Sequence, residues 1–371
     1  MNKLIFASTK NADVRYILGN IIVPDPFFLI QKEGEYLMFV DHREFGLLKE
    51  KLGTTVKIEL LNPLLEQAQK MEGNQSLRGK LAIAILSELN LLHDKIQVPT
   101  SLPLDIADAV RDAGGKLEVA SEIFPERATK TLQEVESIRQ ALLKTHRAFR
   151  KIEEILGESK IVRDTIELDG VPLTSEIVKK EIDRELFEVG LLNLESSIVS
   201  CGEQAAVPHH PGEGLLRPNQ TIICDIFPTD QKSGFCADMT RTYVKGKPSD
   251  KVMSMYGAVK KAQQKGISEI RAGVRANKVH EAVCSVFRES GFEVGDIGFV
   301  HGTGHGLGLE IHEEPYINAT SEATLEAGNV VTVEPGLYYT EFGGIRLEDV
   351  ILVTENGAEN LTNYDAPFVI P

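Results

Sequence analysis

Fifteen consecutive residues, His301 to Pro315 (HGTGHGLGLEIHEEP), hold three histidines, three glutamates and four glycines. Imidazoles and carboxylates together can ligate a metal, move a proton or steady an oxyanion. Two familiar patterns do not fit them. The H-E-x-x-H zinc motif would put a histidine at 316, where Tyr316 stands. The dinucleotide fingerprint G-x-G-x-x-G, begun at Gly302, would need a glycine where Leu307 stands. The stretch must therefore work with residues elsewhere in the chain.

Four such residues come in pairs. TIICDIF and FCADMTRTYV read as strands separated by a turn with Pro228, Asp230 and Gly234, and they hold Asp225 and Asp238. VVTVEPGLYY and IRLEDVILV, separated by Gly343 and Gly344, hold Glu334 and Glu348. The intervals are 13 (238 − 225) and 14 (348 − 334) residues. The pattern reads as two antiparallel hairpins, the halves of an internal pseudo-repeat, each presenting two acids. A carboxylate among Ile, Val and Cys is unfavourable unless compensated. Arg241 and Arg346 could compensate by ion pairing. A metal site would compensate all four acids together with a histidine from the glycine-rich loop. Four carboxylates match the charge of two divalent cations, and oxygen donors with one imidazole suit Mn²⁺, Co²⁺ or Zn²⁺ rather than a thiolate site.

The elements that must position these groups fall into two regions. At 371 residues the chain exceeds a usual single core. Residues 1–127 alternate strand-like EYLMFVD, KIQVP and KLEVA with helical REFGLLKEKL, NPLLEQAQKM and LAIAILSELNLL, which predicts a small α/β domain without a catalytic cluster. Residues 128–371 open on a long amphipathic helix, capped by Thr129 or Thr131, with Val135, Ile138, Leu142 and Phe149 on its apolar face. Further helices are expected near 173–190, 251–271 and 276–290.

Composition narrows the partners. Forty basic against 55 acidic residues give 40 − 55 = −15, a balance unsuited to nucleic acid or an anionic membrane. No apolar run approaches the roughly 20 residues of a membrane helix, and the N-terminus does not read as a signal peptide. Cys201, Cys224, Cys236 and Cys284 form no C-x-x-C pair, Cys224 and Cys236 read as core thiols, and a reducing cytoplasm is the expected compartment.

Asp225, Asp238, His305, Glu334 and Glu348, in that order and set in ADMTRT, HGTGH, VEPGLY and GIRLED, resemble the ligand set of the pita-bread dinuclear metallopeptidases. That superfamily includes methionine aminopeptidase, aminopeptidase P and prolidase. The likeness runs over roughly 130–371, and the N-terminal region resembles the additional domain of the creatinase, prolidase and aminopeptidase P branch, which simple methionine aminopeptidases lack. The implied fold is an α/β N-terminal domain plus an α+β pita-bread (creatinase/aminopeptidase-like) catalytic domain. The implied cofactors are two divalent metal ions, Mn²⁺ first, with Co²⁺ or Zn²⁺ as alternatives. One would be held by Asp225, Asp238 and Glu348, the other by Asp238, His305, Glu334 and Glu348.

The activity so implied is hydrolysis of an N-terminal Xaa-Pro bond by a hydroxide bridging the two metals, as in a Xaa-Pro aminopeptidase. A Xaa-Pro dipeptidase is the alternative, and a non-catalytic binding protein or a methionine aminopeptidase stands further off. By the same resemblance His312 holds the scissile carbonyl, His209 of AVPHHP and His301 line the substrate, and Glu334 shuttles a proton to the leaving amine. His210 reads as a solvated loop residue. The aspartate interval is two residues longer than the family's usual one; an even insertion keeps both aspartates on one face and leaves Asp230 to the turn. Dipeptidases of the branch commonly carry an arginine after HExP or in the loop beyond. HEEPYINATSEATLEAGN has none, with Tyr316 where it often stands, which favours peptides longer than two residues. The expected partners are such peptides with proline second and, by resemblance, a second copy of the chain in a homodimer.

Overall fold

Period-two burial shows why the first part of the chain forms a sheet covered on both faces. Leu4, Phe28, Ile30, Leu37 and Phe39 enter one core, while Ile5, Phe27, Leu29, Met38 and Val40 enter another. The computed structural model describes residues 1–371, which divide into two units, Met1–Pro125 and Glu126–Pro371.

Unit 1 runs β1 (Asn2–Ala7), α1 (Ala12–Leu18), β2 (Phe27–Lys32), β3 (Glu35–Val40), α2 (His42–Leu52), β4 (Lys57–Leu60), α3 (Asn62–Lys70), α4 (Leu77–Glu88), β5 (Lys95–Pro99), α5 (Leu104–Asp112) and β6 (Lys116–Ala120). Its sheet has the order β4-β3-β2-β1-β5-β6. The two hairpin pairings, β1–β2 and β2–β3, are antiparallel; the other three are parallel. Helix α4 is buried at six consecutive positions, Leu81 to Leu86, where its sequence LAIAIL is apolar all round.

Unit 2 begins with α6 (Leu132–Glu158), whose start is a capping box: the Thr131 side chain accepts from the Glu134 N–H, and the Glu134 carboxylate accepts from the Thr131 N–H. There follow β7 (Lys160–Val162), β8 (Thr165–Leu168), β9 (Val171–Pro172), α7 (Ser175–Glu188), β10 (Leu191–Leu192), β11 (Ile198–Cys201), β12 (Thr221–Ile226), β13 (Thr229–Asp230) and β14 (Met239–Lys245). Helices α8 (Asp250–Glu269) and α9 (Ala276–Glu289) come next. The last strands are β15 (Gly304–Gly306), β16 (Glu313–Ile317), β17 (Val330–Val333), β18 (Gly336–Tyr339), β19 (Gly343–Arg346), β20 (Asp349–Thr354), β21 (Gly357–Asn360) and β22 (Val369–Ile370). Two sheets dominate, β11-β12-β14-β22 and β16-β15-β17-β20-β21, and β18 pairs with β19 alone. Val252, Met255 and Val259 of α8 share a core with Val283 and Phe287 of α9 and with Leu337 and Ile345 of the β18–β19 hairpin.

The first acid hairpin is present as β12 paired antiparallel with β14, but Asp238 precedes β14 rather than lying in it. The second is split. β17 pairs with β20 and β18 with β19, so Glu334 and Glu348 occupy the breaks between strands. Pro335 has no N–H to continue a ladder, and a chain leaving one sheet for another can turn a carboxylate out of the ladder. No helix is long and apolar enough to cross a membrane.

Candidate metal centre

Ligand atoms of Asp238, His305 and Glu348 lie within 4.8 Å of one another, and all three residues are buried. His305 sits on β15, where its N–H donates to Thr332 Oγ1 (3.1 Å) and its Nδ1 lies 3.1 Å from the Gly306 carbonyl. A proton on Nδ1, donated to that carbonyl, leaves Nε2 with a lone pair for a cation. Nε2 stands 3.3 Å from Glu334 Oε1 and 3.8 Å from Asp238 Oδ2. The Glu334 N–H donates to the Thr303 carbonyl at 2.8 Å. Thr240 Oγ1 donates to Glu348 Oε2 at 2.8 Å.

Asp225, outside that group of three, is held by Arg346, which the sequence marks only as a possible ion-pair partner. Arg346 Nη2 donates to Asp225 Oδ2 (2.7 Å), and its Nη1 donates to the Tyr338 hydroxyl (2.9 Å) and the Pro208 carbonyl (3.1 Å). Arg241, the other candidate, pairs instead with Asp349 at 2.7 Å. Neither Tyr338 nor Thr240 stands out in the sequence; hydroxyls beside an acid or arginine carry too weak a signal there.

Electrostatics shows what the cluster lacks. Burial, followed by the charges of Glu348, Asp225 and Glu334, pushes Asp238 well above the usual carboxylate range. Burial and the same kind of repulsion raise Glu348. Burial also pushes Glu334 upward, but the hydrogen bond and charge of His305, with His301 and Arg346, prevail and hold it at about 2. Arg346 is the only lysine or arginine paired with any of the four acids. Asp225 Oδ1 is buried without any hydrogen-bond partner. Crowded buried carboxylates, one orphaned oxygen and an imidazole Nε2 that faces two of the acids fit divalent cations, which compensate several acids at once.

The remaining histidines differ. The His312 ring lies 4.3 Å from that of His305, and burial, then the His305 charge, lowers its pKa. His301 is anchored by the Tyr338 hydroxyl at Nε2 (2.9 Å) and by the Gly302 carbonyl at Nδ1 (2.7 Å), and burial takes it down to about 4. His209 is exposed in the loop whose Pro208 carbonyl Arg346 holds, while His210 Nδ1 accepts the Gly212 N–H at 3.0 Å. Asp230 lies apart, paired with Lys144 and with its own turn amides.

Two glycines of the opening stretch serve strand packing. A Cβ on Gly304 would meet the Thr332 carbonyl oxygen at 1.9 Å, and one on Gly306 would meet the Glu314 oxygen at 2.3 Å. Glu313, next to His312, is tied down by Arg127 Nη2 (2.8 Å) and Lys130 Nζ (2.5 Å).

Residues 136–355 match the metallopeptidase family M24. An uncharacterized peptidase of Staphylococcus haemolyticus is 37% identical over 221 residues, which cover 58% of this chain and 62% of that relative's length. A probable dipeptidase, PepE, of Mycobacterium tuberculosis is 32% identical over 276 residues, covering 74% of this chain and 69% of that one. The structure of an Xaa-Pro dipeptidase from Bacillus anthracis superposes with a TM-score of 0.81 at 25% identity, covering 100% of this chain and 95% of that one. With the site's geometry, these matches assign the chain to metallopeptidase family M24, with the pita-bread fold of its prolidase and aminopeptidase P branch.

Proposed function

We propose that unit 2 holds two divalent cations on Asp225, Asp238, His305, Glu334 and Glu348 and hydrolyses the bond between an N-terminal residue and a following proline. The supporting observation is the buried group of Asp238, His305 and Glu348, with Glu334 3.3 Å from His305 and with Asp225 held by one arginine and keeping one oxygen unpartnered. Such cations, when bound, supply Lewis acidity and a water acidic enough to attack at neutral pH. Mn²⁺ is the proposed occupant, and the oxygen-rich donor set also suits Co²⁺ or Zn²⁺.

The chain's own groups do the rest. Glu334, ionised, takes the proton of the attacking water and passes it to the leaving amine. His312, beside His305, donates an N–H to the oxygen of the scissile carbonyl as charge develops there. His301, anchored by Tyr338 and kept neutral by burial, forms part of the substrate wall, and exposed His209 meets the substrate from its own loop. Asp238 and Glu348 would be the acids that contribute to holding both cations. A homodimer in a reducing cytosol is proposed alongside, supported by four free cysteines for the compartment and by the resemblance alone for the dimer.

Substrate length is where two readings compete. Arg127 and Lys130, which reach the 313–333 segment at Glu313, are both committed to that acid. The segment itself carries no arginine or lysine to meet a dipeptide's carboxylate, which favours aminopeptidase action on longer peptides. The dipeptidase reading is supported by the names of the Mycobacterium and Bacillus relatives. The test compares kcat/KM for Xaa-Pro-Yaa and Xaa-Pro with one first residue and saturating Mn²⁺. The tripeptide should win at least ~10-fold if one charge-assisted contact of about 1.5–3 kcal/mol is missing. A dipeptide preference would establish the second reading.

A further inference from the structure

Asn277, His280, Cys284 and Arg288 recur every three or four residues on α9 and so share one helical face. That face lines an open cleft of about 470 Å³, together with Phe299 and His301. The volume falls within the roughly 300–1,000 Å³ of small-molecule sites. Inside it, Cys284 Sγ stands 3.4 Å from His280 Nε2, and His280 Nδ1 stands 2.9 Å from Thr303 Oγ1. With the Nδ1 proton given to Thr303, Nε2 is free to accept the thiol proton. Nucleophile, base and orienting group are thus in line. Arg288 is exposed, four residues beyond Cys284, and has no ion-pair partner. Lys278, also on the cleft, is paired with Glu281 at 2.7 Å. The free charge at the cleft is therefore the Arg288 guanidinium, which suits an anion and opposes a metal ion at the thiol.

We propose that Cys284 is a thiol–disulfide exchange site for anionic low-molecular-weight disulfides, with His280 as base and Arg288 as anchor for the disulfide's carboxylate. The Cys284 sulfur bonds to one sulfur of the incoming disulfide as that S–S bond breaks. The thiol proton passes to His280 Nε2 and then to the departing thiolate. One disulfide is consumed, one small thiol leaves, and no other oxidant takes part. Cys284 is 4% exposed, so exchange needs a reagent that fits the cleft and is slow beside that of a surface thiol. The other three cysteines are buried and none lines this cleft.

The site communicates with the proposed metal centre. Thr303, which His280 holds through its hydroxyl, accepts the Glu334 N–H at 2.8 Å through its carbonyl, and His301 lines the same cleft. A half-disulfide lodged on Cys284 displaces His280 from Thr303 and disturbs the backbone that carries Glu334. This consequence, unlike the exchange itself, rests on the peptidase reading: modification should lower turnover reversibly.

The test incubates full-length, Mn²⁺-loaded protein with oxidised glutathione and, separately, with dicationic cystamine, each rate normalised to that with a free model thiol. Intact mass and peptide mapping follow the adduct, independently of turnover. The expected result is one adduct per chain, on Cys284, forming at least ~10-fold faster from oxidised glutathione and removed by dithiothreitol. Arg288→Gln should erase the preference between reagents, His280→Gln should slow both, and Cys284→Ser should stay unmodified. An adduct on another cysteine, no adduct, or equal normalised rates would overturn the proposal. Because mass is read without substrate, the adduct decides the exchange proposal even if the peptidase reading fails.

Discussion

Replacing Asp230 by alanine asks whether the acid of the long β12–β14 turn belongs to that turn or to the cation cluster. Its Oδ1 accepts from the N–H groups of Lys232 (2.9 Å) and Ser233 (2.8 Å) and from the Ser233 hydroxyl (3.1 Å), while Oδ2 pairs with Lys144. Hydrogen bonds to a charged group contribute about 1.5–3 kcal/mol each, but their sum overstates the loss. Water can replace the carboxylate at the exposed Lys232 amide, and Lys144, whose side chain is 33% exposed, can swing into solvent. The expected net destabilisation is about 2–3 kcal/mol, read as a lower urea midpoint at unchanged slope. The effect should depend on pH with a definite sign. Burial pushes the Asp230 carboxyl up, yet Lys144 and the Ser233 amide outweigh it and hold the pKa below 3.8. A depressed folded pKa means this stabilisation is complete above the unfolded value and fades as pH falls through the folded one. Wild type and Asp230→Ala should therefore converge in stability in strong acid. Metal content by elemental analysis and kcat/KM on an Xaa-Pro-Yaa peptide should match wild type. Unchanged stability, or metal loss as severe as in Asp225→Ala, would refute the assignment of Asp230 to the turn.

Asp238→Ala and Glu348→Ala should each abolish turnover and lower metal stoichiometry; either variant binding its full complement would contradict a shared-ligand role. His312→Ala should keep its metal and slow turnover roughly 10²–10³-fold, as loss of an oxyanion donor does, whereas His305→Ala should lose metal affinity. Equal metal content in the two would erase that distinction. Glu313→Ala strands buried Arg127 and Lys130 and should cost about 3–5 kcal/mol in urea unfolding, toward the lower end because Glu310 still pairs with Arg127. Burial already lowers the Lys130 pKa despite Glu313, so this variant should regain stability as pH rises and Lys130 sheds its proton; a pH-independent loss would argue against the buried charge as the cause.

Donor identity was legible in the sequence because it is a property of residue type. Carboxylates among Ile, Val and Cys, and a histidine between glycines, stand out whatever surrounds them. The helices were legible for a similar reason: the apolar face of α6 is set within a few turns of chain, and of the two cap candidates, Thr129 and Thr131, the structure uses Thr131. What apolar runs could not show was where the strands stop. Glu334 and Glu348 lie at breaks because β17 and β20 join one sheet while β18 and β19 pair separately, a choice made by distant partners. Charge pairing was equally out of reach. Arg346 is two residues from Glu348 in the chain, yet its guanidinium serves Asp225. His209 and His210 are adjacent and alike until the fold gives one to a turn amide and leaves the other exposed. Nor does local pattern show that Gly304 and Gly306, on either side of His305, lie against neighbouring backbone with no room for a Cβ. The sequence alone thus determined which groups could bind cations. Only the tertiary structure decided which come within 4.8 Å and which remain uncompensated, since desolvation and low dielectric act on a carboxylate through everything packed around it.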